Sequence, residues 1–531
     1  MPPATAFRIV DNVETVARPA VAGSILLANA AARRRRLTSE SAIKAFFGSN
    51  ALVAIVVLAL ITIFLFREGF GFFGQNLANL RLYRRAGLEY VDIIRDQAQQ
   101  HAALSRKLGE IRQLETRSLP NGANLEGFDQ FASAFSDTGE FLNALVSDAN
   151  DQAVALREGL IAAGTPVAAS STTESESAAP AAAVDPKTAM ATLRGADEKF
   201  PTIADGMKAK IDNLLAAAPA LQSPKAKAAF ENWQKKTRGY VQNFPAVTQK
   251  LRAWNPDTPV PAYRAMTAFL FGTNWITASF WQDWYGIIPL LVGSIMVSVV
   301  ALVIAVPLGV CSAIYVSEVA AKGEKALIKP YIEFISAIPS VVLGFFGIAV
   351  VGQAIRTLSQ MPFMKWVPFF PISERLNVFT AGALLALMAV PTIFTLAEDA
   401  LRNVPRGFKE ASYALGANRL QTIARVLVPA SLSGIISAIL LGLGRVIGET
   451  MVVLLCAGNR IAIPDFTQGL GAFFQPVHTM TGLIAQEMGE VVRGSIHYRA
   501  LFMVGLVLFA LTLGINYLAQ RFVARYRMSI G

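Results

Sequence analysis

Arg445 and Glu449 stand four residues apart inside an apolar run, with Thr450 beside them and Ser340 in a second apolar run. Ionisable side chains in such surroundings are costly, and they face a bundle interior or a water-filled path. A spacing of four predicts that Arg445 and Glu449 share one face of a continuous helix. A guanidinium offers paired hydrogen bonds to an oxyanion. A carboxylate one turn away moderates the attraction, so that an anion binds and also leaves. A structural ion pair at a subunit interface is the competing reading. Gly442, Gly444 and Gly448 supply the small-residue spacing that lets another helix approach. Glu333, near the start of its run, is a weaker candidate because it can snorkel. The hydroxyls of Ser336, Ser340 and Thr450 can line a path or bond the preceding turn.

A second constellation reads Glu410-Ala411-Ser412-Tyr413-Ala414-Leu415-Gly416, followed by Val426, Val428 and Pro429. A short helix near 405–419, opening after Pro405-Arg406-Gly407, would present Glu410 among small neighbours. Small side chains let a partner's cleft close around a helix, and Gly416 permits a sharp exit turn. An ordinary amphipathic surface helix is the alternative. No GxxxxGK[ST], HExxH or CxxC occurs, so no motif for nucleotide or metal is present and no catalytic residue or cofactor is expected. Cys311 and Cys456 lie in apolar runs, which excludes a disulfide framework or a cysteine metal site.

The elements that must position these residues follow from composition. Of 531 residues 53% are hydrophobic and 16% charged, against about 25% charged in soluble domains. The net charge of +11 is unevenly placed: residues 67–285 hold 23 basic and 23 acidic residues, so the whole excess lies in the apolar remainder. That pattern suits a membrane protein and argues against a soluble nucleic-acid module. Crossing a ~30 Å hydrocarbon core takes about 20 apolar residues. Six runs qualify: Ala45–Phe66, Ile287–Val316, Tyr331–Ile355, Val378–Leu396, Leu432–Ala457 and Leu501–Leu518. The first follows Arg33–Arg36 like a signal peptide, but it ends Phe64-Leu65-Phe66-Arg67 without small residues for cleavage, so a retained anchor is expected.

Basic residues in short flanks set orientation. One side collects Arg33–Arg36, Lys44, Lys322, Lys325, Lys329, Arg402, Arg406, Lys409, Arg419, Arg425, Arg521, Arg525 and Arg527. The other holds Lys365, Arg375, Arg460 and Arg493. Both termini are therefore predicted to be cytoplasmic and residues 67–285 extracytoplasmic. Apolar residues in that insert recur at helical spacing: Leu104, Leu108, Ile111 and Leu114; Phe128, Phe131, Phe135, Leu142 and Leu145; Met190, Leu193 and Phe200; Phe230, Trp233, Phe244, Val247 and Leu251. They predict a small antiparallel helical bundle, interrupted by an Ala/Ser/Thr-rich flexible linker near 165–185. The expected domains are thus a cytoplasmic segment at 1–44, an anchor helix at 45–66, the helical insert at 67–285, a membrane core at 286–522 and a cytoplasmic tail at 523–531. His478, in an outer loop, is expected at the surface.

The loop at Glu410–Gly416 with its Val426, Val428 and Pro429 ending resembles the EAA signature of ABC-importer permeases. Ser412 replaces the second alanine, and valines replace isoleucine and leucine. Tyr285-Gly286-Ile287-Ile288-Pro289, Pro307-Leu308-Gly309, Ile338-Pro339-Ser340-Val341-Val342, Val404-Pro405-Arg406 and Leu443-Gly444-Arg445-Val446-Ile447-Gly448-Glu449-Thr450-Met451 are similar to the phosphate importers of this class. His497-Tyr498-Arg499-Ala500-Leu501-Phe502, with Gly448-Glu449-Thr450-Met451, points to the PstC type over its PstA-type sister. The resemblance covers residues 37–70 and 280–531 and says nothing of 71–280.

The resemblance implies an all-α membrane protein of six transmembrane helices, with an insert between the first two. It implies a permease subunit that passes inorganic phosphate across a bacterial inner membrane by alternating access. Its partners would be a PstA-type permease subunit, two cytoplasmic ATP-binding subunits and a periplasmic phosphate-binding protein, with ATP hydrolysed outside this chain. Glu410, Ala411, Ser412, Gly416 and Pro429 would couple to the ATPase, and Arg445, Glu449, Thr450 and Ser340 would line the pathway. A permease for another oxyanion, sulfate or molybdate, is the alternative. A receptor sensing through the insert is a third reading, which the 13 residues after Leu518 do not favour.

Overall fold

The computed structural model describes residues 20–118, 125–162, 186–277, 282–364, 366–367 and 369–526. The linker expected near 165–185, Lys365, Arg527 and residues 1–19 of the N-terminal segment lie outside them. The chain divides between Phe66 and Arg67 into two units. Helix α1 (Ala20–Arg85) carries the first apolar run. Taken alone, its Ile43–Phe66 part is an apolar helix whose large side chains, Ile55, Leu58 and Ile63 among them, are exposed.

In the second unit, α2 (Leu88–Ser118), α3 (Glu126–Asp137), α4 (Glu140–Ala162), α5 (Pro186–Arg194), α6 (Ala196–Ala216), α7 (Pro224–Gln242), α8 (Phe244–Ala253) and α9 (Tyr263–Leu270) form the insert. The stripes read from the sequence meet in one core. Leu108, Phe135, Leu142, Phe200, Trp233 and Val247 are buried together, with Leu114 and Met190 partly covered at its edge. His101 and Trp233 are among the polar groups fixed inside it. His101 stacks on Phe135 at 4.8 Å between centroids, its Nε2 3.2 Å from the Phe135 carbonyl and 2.9 Å from Thr138 Oγ1. Trp233 Nε1 donates to the Leu104 carbonyl at 2.9 Å.

A short antiparallel pair, β1 (Trp275–Ile276) and β2 (Trp284–Tyr285), joins the insert to the apolar helices. Trp284 packs on the insert core, while Trp275 and Tyr285 enter a second cluster with Phe72, Phe269, Leu290, Met480 and Ile496. The insert is thus seated at the end where α10 (Ile288–Ile314) and α20 (Ile496–Tyr526) begin. Gln75 Nε2 donates to the Gly494 carbonyl at 3.0 Å at the same junction, and His497 Nε2 lies 2.7 Å from Glu487 Oε2.

Among the described residues six helices are long and apolar enough to cross a membrane: Ile43–Arg85, Ile288–Val319, Ser340–Gln360, Val378–Arg402, Arg419–Gly448 and Ile496–Arg521. The number agrees with the sequence; two of the spans do not run where the apolar runs placed them. The run at 331–355 breaks at Ile338-Pro339. Proline disfavours helical backbone in the residue before it, and Ile338 is extended, with ψ 123°. Residues 331–337 belong to α11 (Lys322–Ala337), none of whose residues is buried. The span itself is α12 (Ser340–Phe346), a π-helical stretch Gly347–Val351 and α13 (Gly352–Gln360).

The run at 432–457 also breaks. Helix α17 (Val428–Gly448) ends where Glu449 turns extended, with ψ 135°, and α18 (Met451–Cys456) follows. The short helices flanking the breaks pack together: Cys456 Sγ donates to the Gly344 carbonyl at 3.3 Å. Helix α14 (Val378–Arg402) is the most buried of the six spans and packs on both α10 and α17. Helix α19 (Met480–Glu487) lies between α18 and α20. The end of α14 leads into α15 (Arg406–Ala414) and α16 (Arg419–Thr422), and a π-helical stretch Ile423–Leu427 opens α17.

Candidate functional site

Two groups of residues carry chemistry, one on the loop between α14 and α17 and one inside the helical core. On the loop, α15 starts after Pro405, whose fixed φ of −57° suits a helix entry. It ends at Gly416, with φ +79°, where a side chain would be strained. Glu410 and Ala411 are exposed and Ser412 is buried. The Ser412 and Thr422 hydroxyls lie 2.9 Å apart and pin α15 to α16. Asn418 caps α16 by accepting from the Gln421 backbone N–H at 2.8 Å. Pro429, in the first turn of α17, is exposed. Phe408, Tyr413, Leu415 and Leu420 also face outward, Leu415 being 89% exposed. Phe408, Leu415, Arg425 and Val426 border a cleft of about 490 Å³ between α15 and the start of α17. Helix α15 thus leaves a charged edge, small residues and an apolar tip open.

Two buried carboxylates behind this loop were not singled out in the sequence. Glu318, at the π-helical end of α10, accepts from Lys409 Nζ of α15 at 2.7 Å. Glu398, in the last turns of α14 and wholly buried, is held by Lys329 Nζ of α11 at 2.9 Å and Arg402 Nε at 3.1 Å. Each stands four residues before a base, Lys322 and Arg402, but among the described residues only Glu398 and Arg402 form that local pair. The Lys329 partner of Glu398 is 69 positions away, which no spacing rule reaches.

In the core, the continuous helix face expected for Arg445 and Glu449 is not formed, because the backbone leaves the helix at Glu449. Among the described residues no Arg445–Glu449 ion pair occurs. Instead Arg445, exposed on α17, donates from Nη1 to Thr392 Oγ1 of α14 at 3.2 Å. Glu449 Oε1 accepts from the Met451 N–H at 3.2 Å at the start of α18, and its carbonyl accepts from Thr481 Oγ1 at 2.9 Å. Thr450 precedes α18 and donates to the Gly448 carbonyl at 3.4 Å. Ser340, half-buried, opens α12 at the other break. The polar candidates thus gather at interruptions of helices, where membrane proteins tolerate irregular backbone that is buried or lines a cavity.

Two further expectations are corrected and one is narrowed. Of the three glycines near Arg445, Gly442 serves close approach within the described residues, since a Cβ there would lie 2.7 Å from Ile393 Cγ1, whereas a Cβ at Gly444 or Gly448 meets nothing of this chain within 4 Å. Glu333 lies exposed on α11 outside the span, 4.0 Å from Lys329. His478 is buried, not superficial. Its Nδ1 accepts from the Thr479 N–H at 3.0 Å, so Nε2 carries the proton toward Gln486 Oε1 at 3.2 Å. Burial holds this imidazole below its ordinary pKa.

The sequence matches one family model, binding-protein-dependent transport system inner membrane component, over residues 305–528. A Bacillus subtilis protein described as probable ABC transporter permease protein YqgH is 35% identical over 258 residues, 48% of this chain and 77% of that one. The phosphate transport system permease protein PstC of Haemophilus influenzae is 31% identical over 277 residues, 49% of this chain and 84% of that one. Among solved structures, inward-facing MetNI methionine ABC transporter covers 45% of this chain and 94% of its own, at 19% identity and a TM-score of 0.33.

Proposed function

The chain belongs to the family of binding-protein-dependent transport inner membrane components, and from that premise we propose that it passes inorganic phosphate through the membrane as a PstC-type subunit. Family membership makes it a multi-pass permease subunit of an ABC transporter, a transport component and not an enzyme. The similarity to a phosphate transport permease over 84% of that protein's length carries the choice of substrate.

In this reading both termini are cytoplasmic, residues 67–285 lie outside and 286–522 form the permease core. A PstA-type permease faces this chain across the pathway. A periplasmic phosphate-binding protein delivers substrate, and one of two ATP-binding subunits receives α15. Glu410, Ala411, Ser412, Gly416 and Pro429 form the coupling element. The exposed Leu415 and the cleft beside it support that role.

Arg445 contacts phosphate in transit. Its guanidinium leaves a span on the open side of α17, with the Thr392 hydroxyl as its partner among the described residues. A guanidinium so placed keeps donors available for a phosphate oxygen pair. Glu449, Thr450 and Ser340 line the same path at the helix breaks. ATP-driven closure of the nucleotide-binding pair pulls α15, and the spans rock around the path. The test is uptake in vesicles holding the assembled transporter. ATP-dependent accumulation of labelled phosphate, competed by phosphate and not by sulfate or molybdate, supports the reading; competition by sulfate alone overturns it.

A further inference from the structure

Resting on the reading of the chain as an ATP-driven permease, we infer that Glu318 is the positioning residue that locks the cytoplasmic loop onto the second span. Two bases from different helices of the loop converge on it. Lys409 of α15 reaches its carboxylate at 2.7 Å, and the Arg419 guanidinium of α16 donates to its backbone carbonyl. Ser317 Oγ adds a bond to Oε1 at 3.1 Å, and Lys325 Nζ of α11 donates to the Ser317 carbonyl at 2.9 Å. The Glu318 side chain is only 7% exposed. A carboxylate this covered is tolerated because it is paired, and removing its partner leaves an uncompensated charge. The pair therefore resists separation, and α15 is held in one register against the end of α10.

The backbone is unusual where the loop docks on α10 and where it enters α17. Glu318 sits in the π-helical stretch Tyr315–Val319, closed by the Ala320 N–H on the Tyr315 carbonyl at 2.8 Å. On the other side the π-helical stretch Ile423–Leu427 runs into Pro429, whose missing N–H leaves the helical ladder one donor short. Single π turns occur frequently at functional positions. The clamp lies on the α10 side: of the two π stretches, the first holds a buried carboxylate engaged by the loop. A displacement of α15 is thus carried rigidly into α10, while α17, which bears Arg445, pivots at its own π turn.

The experiment uses the complete transporter in proteoliposomes, with labelled phosphate and ATP hydrolysis measured together. Glu318→Gln is expected to keep ATP hydrolysis within about twofold of the parent and to lower phosphate moved per ATP roughly tenfold, a typical coupling between sites. The charge-exchanged pair Glu318→Lys with Lys409→Glu is expected to recover most of that loss. An unchanged ratio in Glu318→Gln overturns the assignment. A second arm needs no substrate and so separates the clamp from the choice of phosphate. Spin labels are placed at Tyr413→Cys and Val319→Cys, with Cys311 and Cys456 replaced. In the parent background their distance stays constant between nucleotide-free and ATP-bound states, and the distribution broadens in Glu318→Gln. A shift in the parent of one helical turn, about 5 Å, contradicts the clamp.

Discussion

The carboxylate of Glu398 is wholly buried and gripped from one side by Lys329 Nζ, at 2.9 Å, joining α11 to the central helix α14. Because α11 leads directly into the break at Ile338-Pro339, this pair fixes the approach to one of the two interrupted spans. Replacing Lys329 leaves the buried carboxylate with Arg402 alone. Lys329→Met is expected to destabilise the fold by about 2 kcal/mol, the scale of one hydrogen bond to a charged group, and Glu398→Gln by less, since an amide still accepts from the lysine. Thermal unfolding of the purified protein in detergent, compared across the two variants, reads the difference. Equal stability of both with the parent would remove the pair from the structural account.

The left-handed turn at Gly416 sets how α15 is presented. Gly416→Val places a branched side chain at φ +79° and is expected to cost about 1–2 kcal/mol locally. The effect is expected at the loop and not in the core, because a Cβ at this position meets nothing within 4 Å. Hydrogen exchange should show faster opening confined to residues 405–427; uniform loosening of the spans would argue otherwise.

Leu415 is 89% exposed at the tip of the loop. Leu415→Asp is expected to leave the thermal unfolding of the chain unchanged and to reduce recovery of co-expressed ATP-binding subunits at least about tenfold, as loss of a central apolar contact does. Full recovery of those subunits would move the docking surface elsewhere.

His101 gives the insert a pH dependence. Burial lowers its pKa below the ordinary value of 6.5, with the Phe135 carbonyl opposing in part. The unfolded insert therefore binds the proton more readily than the folded one. The stability this group contributes is present above about pH 6.5 and is lost as pH falls through the lowered folded value. Hydrogen-exchange protection of residues 88–118 is expected to drop between pH 7.5 and 5.5 in the parent. In His101→Gln it should change little. A drop of equal size in both would assign the effect to other groups.

The parts of the fold visible in the sequence are those written in local pattern. Periodic apolar residues such as Leu104, Leu108 and Ile111 marked the insert core, and six apolar runs marked six spans. Apolar runs report what lipid accepts, not where a helix continues, so the run across Pro339 was read as one span although its proline signalled the break. At Glu449 the flanking Gly448 and Thr450 signal a helix stop and a helix start, and the expected pairing with Arg445 fails there. Lys329–Glu398 and Lys409–Glu318 join positions 69 and 91 residues apart, and pairings of that range are set by tertiary packing. His478 follows the same rule: a polar residue in a loop predicts exposure, whereas α19 folds over it.

Arg445 carries the central claim, because it is the guanidinium that a span presents on its open face at the level of the helix breaks. The most direct measurement is ATP-dependent phosphate uptake by the assembled transporter with Arg445→Gln, alongside Thr392→Val, which removes the partner hydroxyl and leaves the charge. The account predicts uptake reduced at least about tenfold in Arg445→Gln with subunit assembly unchanged, and only a small loss in Thr392→Val. Parental uptake by a fully assembled Arg445→Gln transporter would contradict it.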